Sequence, residues 1–324
     1  MSATATIDVP TERRHDAYEA LLRRCEPLEP VVTAVAYPCE ETALTGPIEA
    51  AEAHLIKPIL VGPRQKIREV AKAAGLSIDS YEIEDVSDSH AAAARAVELV
   101  RSARAEVLMK GSLHTDELMS AVVSGTTGLR TGRRISHAFV MSVPTYPKPL
   151  IITDAAINIA PTLDEKRDIC QNAIDLAHSL GRELPKVAIL SAVETVTTKI
   201  PSTIDAAALC KMADRGQITG ALLDGPLAMD NAINLEAART KGIDSPVAGE
   251  ADILVAPDLE AGNILAKLLT FLAKADAAGL VLGARVPIIL TSRADSVRVR
   301  MASCGVALLV AHARRAGQAG RKSP

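Results

Sequence analysis

The residues best suited to chemistry stand together in Val286-Pro287-Ile288-Ile289-Leu290-Thr291-Ser292-Arg293-Ala294-Asp295-Ser296. A hydroxyl, a guanidinium and a carboxylate directly follow a proline-started apolar run, and a long helical pattern begins after them. The run reads as a buried parallel strand, so Ser292, Arg293 and Asp295 fall at its carboxyl end beside a helix N-terminus. In open α/β proteins ligands bind at that place. Free backbone N–H groups and about half a unit of positive dipole charge favour anions there. The arginine fork suits phosphate oxygens. The implied chemistry is the handling of an anion, in particular phosphate.

A second group of polar residues lies in Gly125-Thr126-Thr127-Gly128-Leu129-Arg130-Thr131-Gly132-Arg133-Arg134. Glycines, hydroxyls and three cations could cradle a phosphate or the anionic end of a nucleotide. No G-K-[ST] follows, and the strand–G-x-G-x-x-G–helix context of a dinucleotide fold is missing. The alternative is a solvated basic turn. Other apolar runs also end in carboxylates: Asp154 after Leu150–Thr153, Asp224 after Ala221–Leu223, and Asp258 after Val255-Ala256-Pro257. Such residues either line a cleft or cap the next helix. Capping is the reading for Asp258, whereas Asp224 and Asp230, on either side of Pro226, fit a cleft or a turn. His114 and His137 flank the basic loop without metal-ligand spacing, and a hydrogen-bonded structural role is the reading for both. Ser292 lacks the G-x-S-x-G surroundings of a hydrolase nucleophile.

Short β-branched runs alternating with amphipathic stretches must position these groups. Strands are expected at 31–36, 58–61, 81–86, 107–110, 150–153, 187–190, 221–223 and 253–255, each followed by a helix. That rhythm indicates parallel βαβ units, hence an α/β fold. It breaks between Ser124 and Pro149, a domain crossover is expected near Pro144–Pro149, and Gly279–Gly283 reads as a hinge. The expected units are 1–145 plus 285–324 and 146–284, with the active site in the cleft between them.

Composition narrows the function. The chain has 324 residues, 48% of them hydrophobic but only 2% aromatic. The core must therefore be built from aliphatic side chains, and stacking-based binding of single-stranded nucleic acid is disfavoured. A net charge of −3 gives no electrostatic footprint for nucleic acid or an acidic membrane surface. The five cysteines are scattered with no C-x-x-C pair, which argues for buried free thiols rather than a disulfide framework or zinc site. No apolar run is long enough for a membrane span and no secretory signal is visible. The expected location is the cytoplasm.

The segments KGSLHTDEL, GLRTGRRISHAFV, ITDAAINIAPTLDEKRDI, DRGQITGALLDGPLAMDNAI, GEADILVAPDLEAGNILAKLL and VPIILTSRADS, in this order, resemble the phosphate acetyl/butyryltransferase family. The resemblance covers nearly the whole chain, from about Val31 to Ala311. It implies a two-domain, three-layer α/β/α architecture like that of isocitrate and isopropylmalate dehydrogenases, and a homodimer. It also implies reversible transfer of a short acyl group, acetyl or butyryl, between coenzyme A and inorganic phosphate, by direct attack in a ternary complex. Acyl-CoA, CoA, phosphate and acyl phosphate would be the partners, with no metal and no permanently bound cofactor. Ser292 and Arg293 match the family's serine–arginine pair. The acetyl-type pattern has an aspartate seven residues beyond the serine, where this chain has Val299, and Asp295 within T-S-R-A-D-S looks like the butyryl-type branch. A second acetyl-type arginine would fall near Met119 or Ser120, so Arg130, Arg133 or Arg134 is expected to supply that charge. Thr127, His114, Asp154, Asp224, Asp230 and Asn263 complete the expected substrate side. Two other classes compete: an NAD(P)- and metal-dependent dehydrogenase of the same fold, and a non-catalytic acyl-CoA or acyl-phosphate sensor, suggested by Val299.

Overall fold

Buried aliphatic runs build the sheet, and the residues that break them set its edges. The computed structural model describes residues 13–291 and 295–321. Its first part runs α1 (Arg13–Cys25), β1 (Val31–Ala36), α2 (Glu41–Glu52), β2 (Ile56–Gly62), α3 (Arg64–Ala74), β3 (Glu82–Asp85), α4 (Ser89–Arg101), β4 (Val107–Lys110) and α5 (Thr115–Val123). Then follow β5 (Ser136–Ser142), β6 (Leu150–Thr153), α6 (Leu163–Ser179), β7 (Lys186–Leu190), α7 (Pro201–Asp214) and β8 (Leu222–Leu227). The last part holds α8 (Met229–Ile233), α9 (Leu235–Thr240), β9 (Ile253–Val255), α10 (Leu259–Phe271), β10 (Asp276–Leu282), β11 (Ile288–Ile289) and α11 (Val297–Arg321).

All eleven strands form one sheet in the order β3-β2-β1-β4-β11-β10-β5-β6-β9-β7-β8. Both flanks are parallel, as the βαβ rhythm requires. The centre is not: β11–β10, β10–β5 and β5–β6 are antiparallel. Two of these central strands correct the sequence reading. Where the rhythm breaks, Ser136–Ser142 is a strand, and the stretch read as a hinge forms most of β10 at the middle of the sheet. Gly279 is fixed rather than hinge-like. A Cβ there would lie 3.2 Å from His137 Nε2 and 3.3 Å from the Leu290 carbonyl oxygen.

Helices cover both faces, giving three layers. On one face a continuous core includes Leu44, Ile48, Ile67, Ala173, Leu209 and Leu308 from the helices, packed on Val35, Ala138, Leu280 and Ile253. On the other face the core divides. Ala34, Leu108, Val281 and Ile288 pack under α4 and α5, while Met141, Ile152, Leu254 and Ala277 pack under α8, α9 and α10. His137 and Phe139 of β5 and Gly279 of β10 share that face by strand alternation, and they sit where the two cores part. Among the described residues no helix is long and apolar enough to cross a membrane.

Candidate active site

The short strand β11 pairs in parallel with β4, Ile288 against Leu108 and Ile289 against Met109. Thr291 just beyond it is buried, and Ser292, Arg293 and Ala294 lie outside the described residues. The neighbouring strand ends show what surrounds this place. Lys110, at the end of β4, is buried and donates through Nζ to the carbonyls of Gly111 (3.1 Å) and Leu113 (3.2 Å). Ser112 Oγ donates to the Tyr37 carbonyl at 2.8 Å and accepts from Cys39 N at 3.2 Å. Gly111 has to be glycine, since a Cβ would come within 2.4 Å of the Ala36 carbonyl oxygen.

Arg300 reaches the same crevice from the first turns of α11, so that Thr42, Lys110, Ser112, Thr291 and Arg300 line one narrow opening. It is 95% buried, and its Cδ would lie 2.8 Å from a Cβ at position 46, so Gly46 of α2 makes its room. Two cations thus stand beside the end of β11, and positive charge there suits an anion. Neither was singled out from sequence. Lys110 had the same signal as Ser292, an apolar run ending in a polar residue. Arg300 looked like any other helical arginine. Asp295 is half-buried at the start of α11, and Val299 accepts a hydrogen bond from Ser303 at 2.8 Å.

The other candidates do not converge on this point. Three direction reversals separate β11 from β6, so the carboxyl ends of β6, β7, β8 and β9 lie at the opposite edge from that of β11. By register Thr153 is level with Ile289 across three strand spacings, about 14 Å, and Asp154 follows on the side away from the carboxyl end of β11. Its buried carboxylate organises the turn after β6. Oδ1 accepts from Ala156 N (2.9 Å) and Ile157 N (3.1 Å), and Oδ2 from Asn158 N (3.2 Å) and Asn158 Nδ2. Asp224 accepts from Gly225 N at 2.8 Å, and two strands, β9 and β7, lie between β8 and β6, so that it is three strand spacings, about 14 Å, across from the end of β6. Exposed Asp230 pairs with Lys241 at 3.1 Å, which lowers its pKa. Asp258 caps α10 by accepting from Ala261 N at 2.9 Å. Asn263 donates to the Ala155 carbonyl at 3.0 Å.

The basic loop is ordered by its own turns. Thr127 Oγ1 bonds Ser124 Oγ at 2.8 Å, and Gly128 leaves no room for a Cβ against the Ser124 and Val122 carbonyls. His114 is the exposed N-cap of α5, in a capping box with Glu117. Arg134 pairs with Glu165 (2.9 Å) and donates to Asn158 Oδ1 (2.7 Å), while Arg133 pairs with Asp175 on α6. Arg130 is exposed and forms no ion pair among the described residues.

Where the two cores part, His137 is 99% buried and its Nδ1 has no hydrogen-bond partner, which corrects the hydrogen-bonded role expected for its ring. Burial lowers its pKa to about 4 against the opposing pull of Asp154, so the ring is neutral at pH 7. Desolvation acts on the thiols in the opposite sense. Cys25 and Cys39 are pushed up to about 11, and Cys170, Cys210 and Cys304 to about 12. None supplies a thiolate nucleophile at neutral pH.

Comparison with known proteins decides the family. The description "Phosphate acetyl/butaryl transferase" fits residues 89–307. The chain belongs to the phosphate acetyl/butyryltransferase family. A relative from Rhizobium meliloti named phosphate acetyltransferase is 67% identical over 301 residues, 93% of this chain and 95% of that one. The crystal structure of a branched-chain phosphotransacylase from Enterococcus faecalis superposes with a TM-score of 0.77 at 30% identity, covering 87% of this chain and 99% of that chain. A 4-hydroxythreonine-4-phosphate dehydrogenase from Klebsiella pneumoniae gives a TM-score of 0.53 at 12% identity, over 87% and 99% of the two chains. That last likeness is one of fold alone, and it bears out a dehydrogenase-like architecture for a phosphate acetyl/butyryltransferase family member. The T-S-R-A-D-S pattern looks butyryl-type, yet it occurs here in a chain 67% identical to a protein named for acetyl transfer.

Proposed function

We propose that this protein is a phosphate acyltransferase that moves a short acyl group reversibly between coenzyme A and inorganic phosphate. The observation that carries the reading is the 67% identity, across 93% of the chain, to a protein named phosphate acetyltransferase. Acetyl is accordingly the favoured acyl group. The reaction takes place in the cleft between a first unit, 1–145 plus 285–324, and a second, 146–284. The divided core over β5 and β10 supports that location.

In the direction of acyl-CoA synthesis, the CoA sulfur attacks the carbonyl carbon of the acyl phosphate. The C–S bond forms, the C–O bond to phosphate breaks, and the thiol proton passes to a base. A free thiol is only a few per cent ionised at pH 7, so nearby positive charge or a base assists the attack. Arg293, with Lys110, Arg300 and Arg130, holds phosphate and the developing negative charge. Ser292 hydrogen-bonds the thiol or the oxyanion, and Asp295 takes the thiol proton. All five thiols are raised by burial, which supports direct attack in a ternary complex over a covalent cysteine intermediate. Asp154, Asp224, Asp230, Asn263, Thr127, His114 and Arg134 are committed to turns, caps and ion pairs, and their contribution to substrate binding is through the shape of the cleft walls, whereas Arg133 pairs with Asp175 away from it.

The protein works in the cytoplasm as a homodimer. In a chain with only two phenylalanines, Phe271 is 73% exposed on α10, in line with exposed Ile264, Leu268 and Leu272. Such a stripe at helical spacing is a face suited to a second copy of the chain. The test of function is phosphate-dependent release of CoA from acetyl-, propionyl- and butyryl-CoA, with and without chelator. Turnover that survives chelation and needs no NAD(P) is expected. Tight CoA binding without release from any of the three would replace the enzyme by a sensor.

A further inference from the structure

Part of the basic loop meets α6 and α11 rather than the end of β11. Arg133 lies there across from Arg314 of α11, and both line a bowl of about 700 Å³ with Thr131, His178, Ser179 and Ala313 at its walls. Arg133 pairs with Asp175. Arg314 has no ion pair among the described residues. Its Nη1 donates to the carbonyls of Arg285 (2.9 Å) and Ala284 (3.4 Å), and the guanidinium has five N–H donors in all. Burial lowers the pKa of Arg314, Asp175 opposes that shift and Arg133 adds to it. The Asp175 carboxylate is already engaged by Arg133 and also accepts from Gln171 Nε2 at 3.1 Å. A partly desolvated arginine short of anionic partners is a costly arrangement that an anion relieves.

The bowl is separate from the proposed active site. It lies between α6 and α11 near Arg314, whereas the crevice at the end of β11 holds Arg300, fourteen residues earlier on α11, about 21 Å along the helix axis. From Val297 to Arg314 the helix α11 spans about 25 Å.

We infer that Arg133 and Arg314 form a second, non-catalytic anion site that takes a phosphate group, free or as the monoester of a small molecule. Arginine forks match phosphate oxygens in pairs, while the Thr131 and Ser179 hydroxyls in the same bowl donate to the Gly283 and Asp175 carbonyls. Apolar Leu176, Ala284, Val310 and Ala313 line the rest of the bowl and leave space for the organic part of an ester. The inference is independent of the acyl-transfer reading: wild-type protein that binds phosphate here but transfers no acyl group would fail that reading and keep this site.

The test is calorimetric titration of the full chain with inorganic phosphate and, in a second arm, AMP. Arg314→Gln removes a fork. Ala313→Glu places a negative charge at an exposed position on the rim, so it tests the site even where Arg314→Gln does not fold. Both variants are expected to weaken one binding event by about tenfold or more. Acyl-transfer turnover should stay within about twofold of wild type. The arm with the larger loss tells whether the ion or the ester is the better ligand. Unchanged affinity for both probes in the folded variants, or loss of turnover in parallel with binding, overturns the proposal.

Discussion

At the scale of single residues, the proposed chemistry rests on charge held out of water. Arg293→Ala should lower turnover by about 10²–10³-fold, in the range seen when one charge-stabilising donor is removed. Steady-state kinetics on folded protein checks this, and near-normal turnover would remove Arg293 from the mechanism. Asp295→Asn separates base from cap. A base predicts a lost rate and an altered acidic limb of the pH–rate profile, whereas a cap predicts lost stability alone. His137 carries a different expectation. Its unfolded ring takes a proton near the ordinary 6.5, but the buried one only near 4. The unfolded state therefore binds more protons between those values, and stability falls as pH drops from 7 towards 4, by up to roughly 3 kcal/mol. Urea denaturation of His137→Leu should show a shallower loss over that window than wild type, and equal slopes would contradict the burial argument.

At the scale of elements, the ends of strands behave in two ways. The end of β4 and the residue beyond β11 gather Lys110, Ser112 and Thr291, with Arg300 delivered by α11 through the space left by Gly46. The end of β6 instead spends its carboxylate on its own turn. Asp154→Ala would leave three backbone N–H groups and the Asn158 amide without their acceptor, at a cost of about 3 kcal/mol. Thermal or urea unfolding measures that loss. A direct substrate contact would show instead as a raised KM at unchanged stability. The sequence made Asp154 and Ser292 look alike because both follow apolar runs. Direction in the sheet, not local sequence, separates them.

At the scale of the whole molecule, one continuous sheet joins two parallel flanks through antiparallel β10 and β5. The core is unbroken on one face and divided on the other, with the division over β5 and β10. The apolar stripe of α10 is the further large-scale feature. Leu268→Glu should convert a dimer to monomer in sedimentation equilibrium, since a charge would be buried unpaired in such an interface. A dimer unaffected by that change would place the interface elsewhere.

The sequence by itself determined the α/β class, the βαβ flanks, most helix limits and the family, since these follow from local periodicity, caps and long runs of matching residues. It also marked the strand end at Thr291-Ser292-Arg293. The tertiary structure alone decided that β5 and β10 are strands at the sheet centre. Their pattern is illegible locally because both faces are covered and His137 and Gly279 interrupt the alternation. It also decided which polar residues meet. Lys110 and Arg300 are brought to the end of β11 by pairing and helix packing between segments far apart in the chain, and the antiparallel centre carries Asp154, Asp224 and Asp258 to the other edge. Such contacts depend on strand direction and register, which no short stretch of sequence encodes.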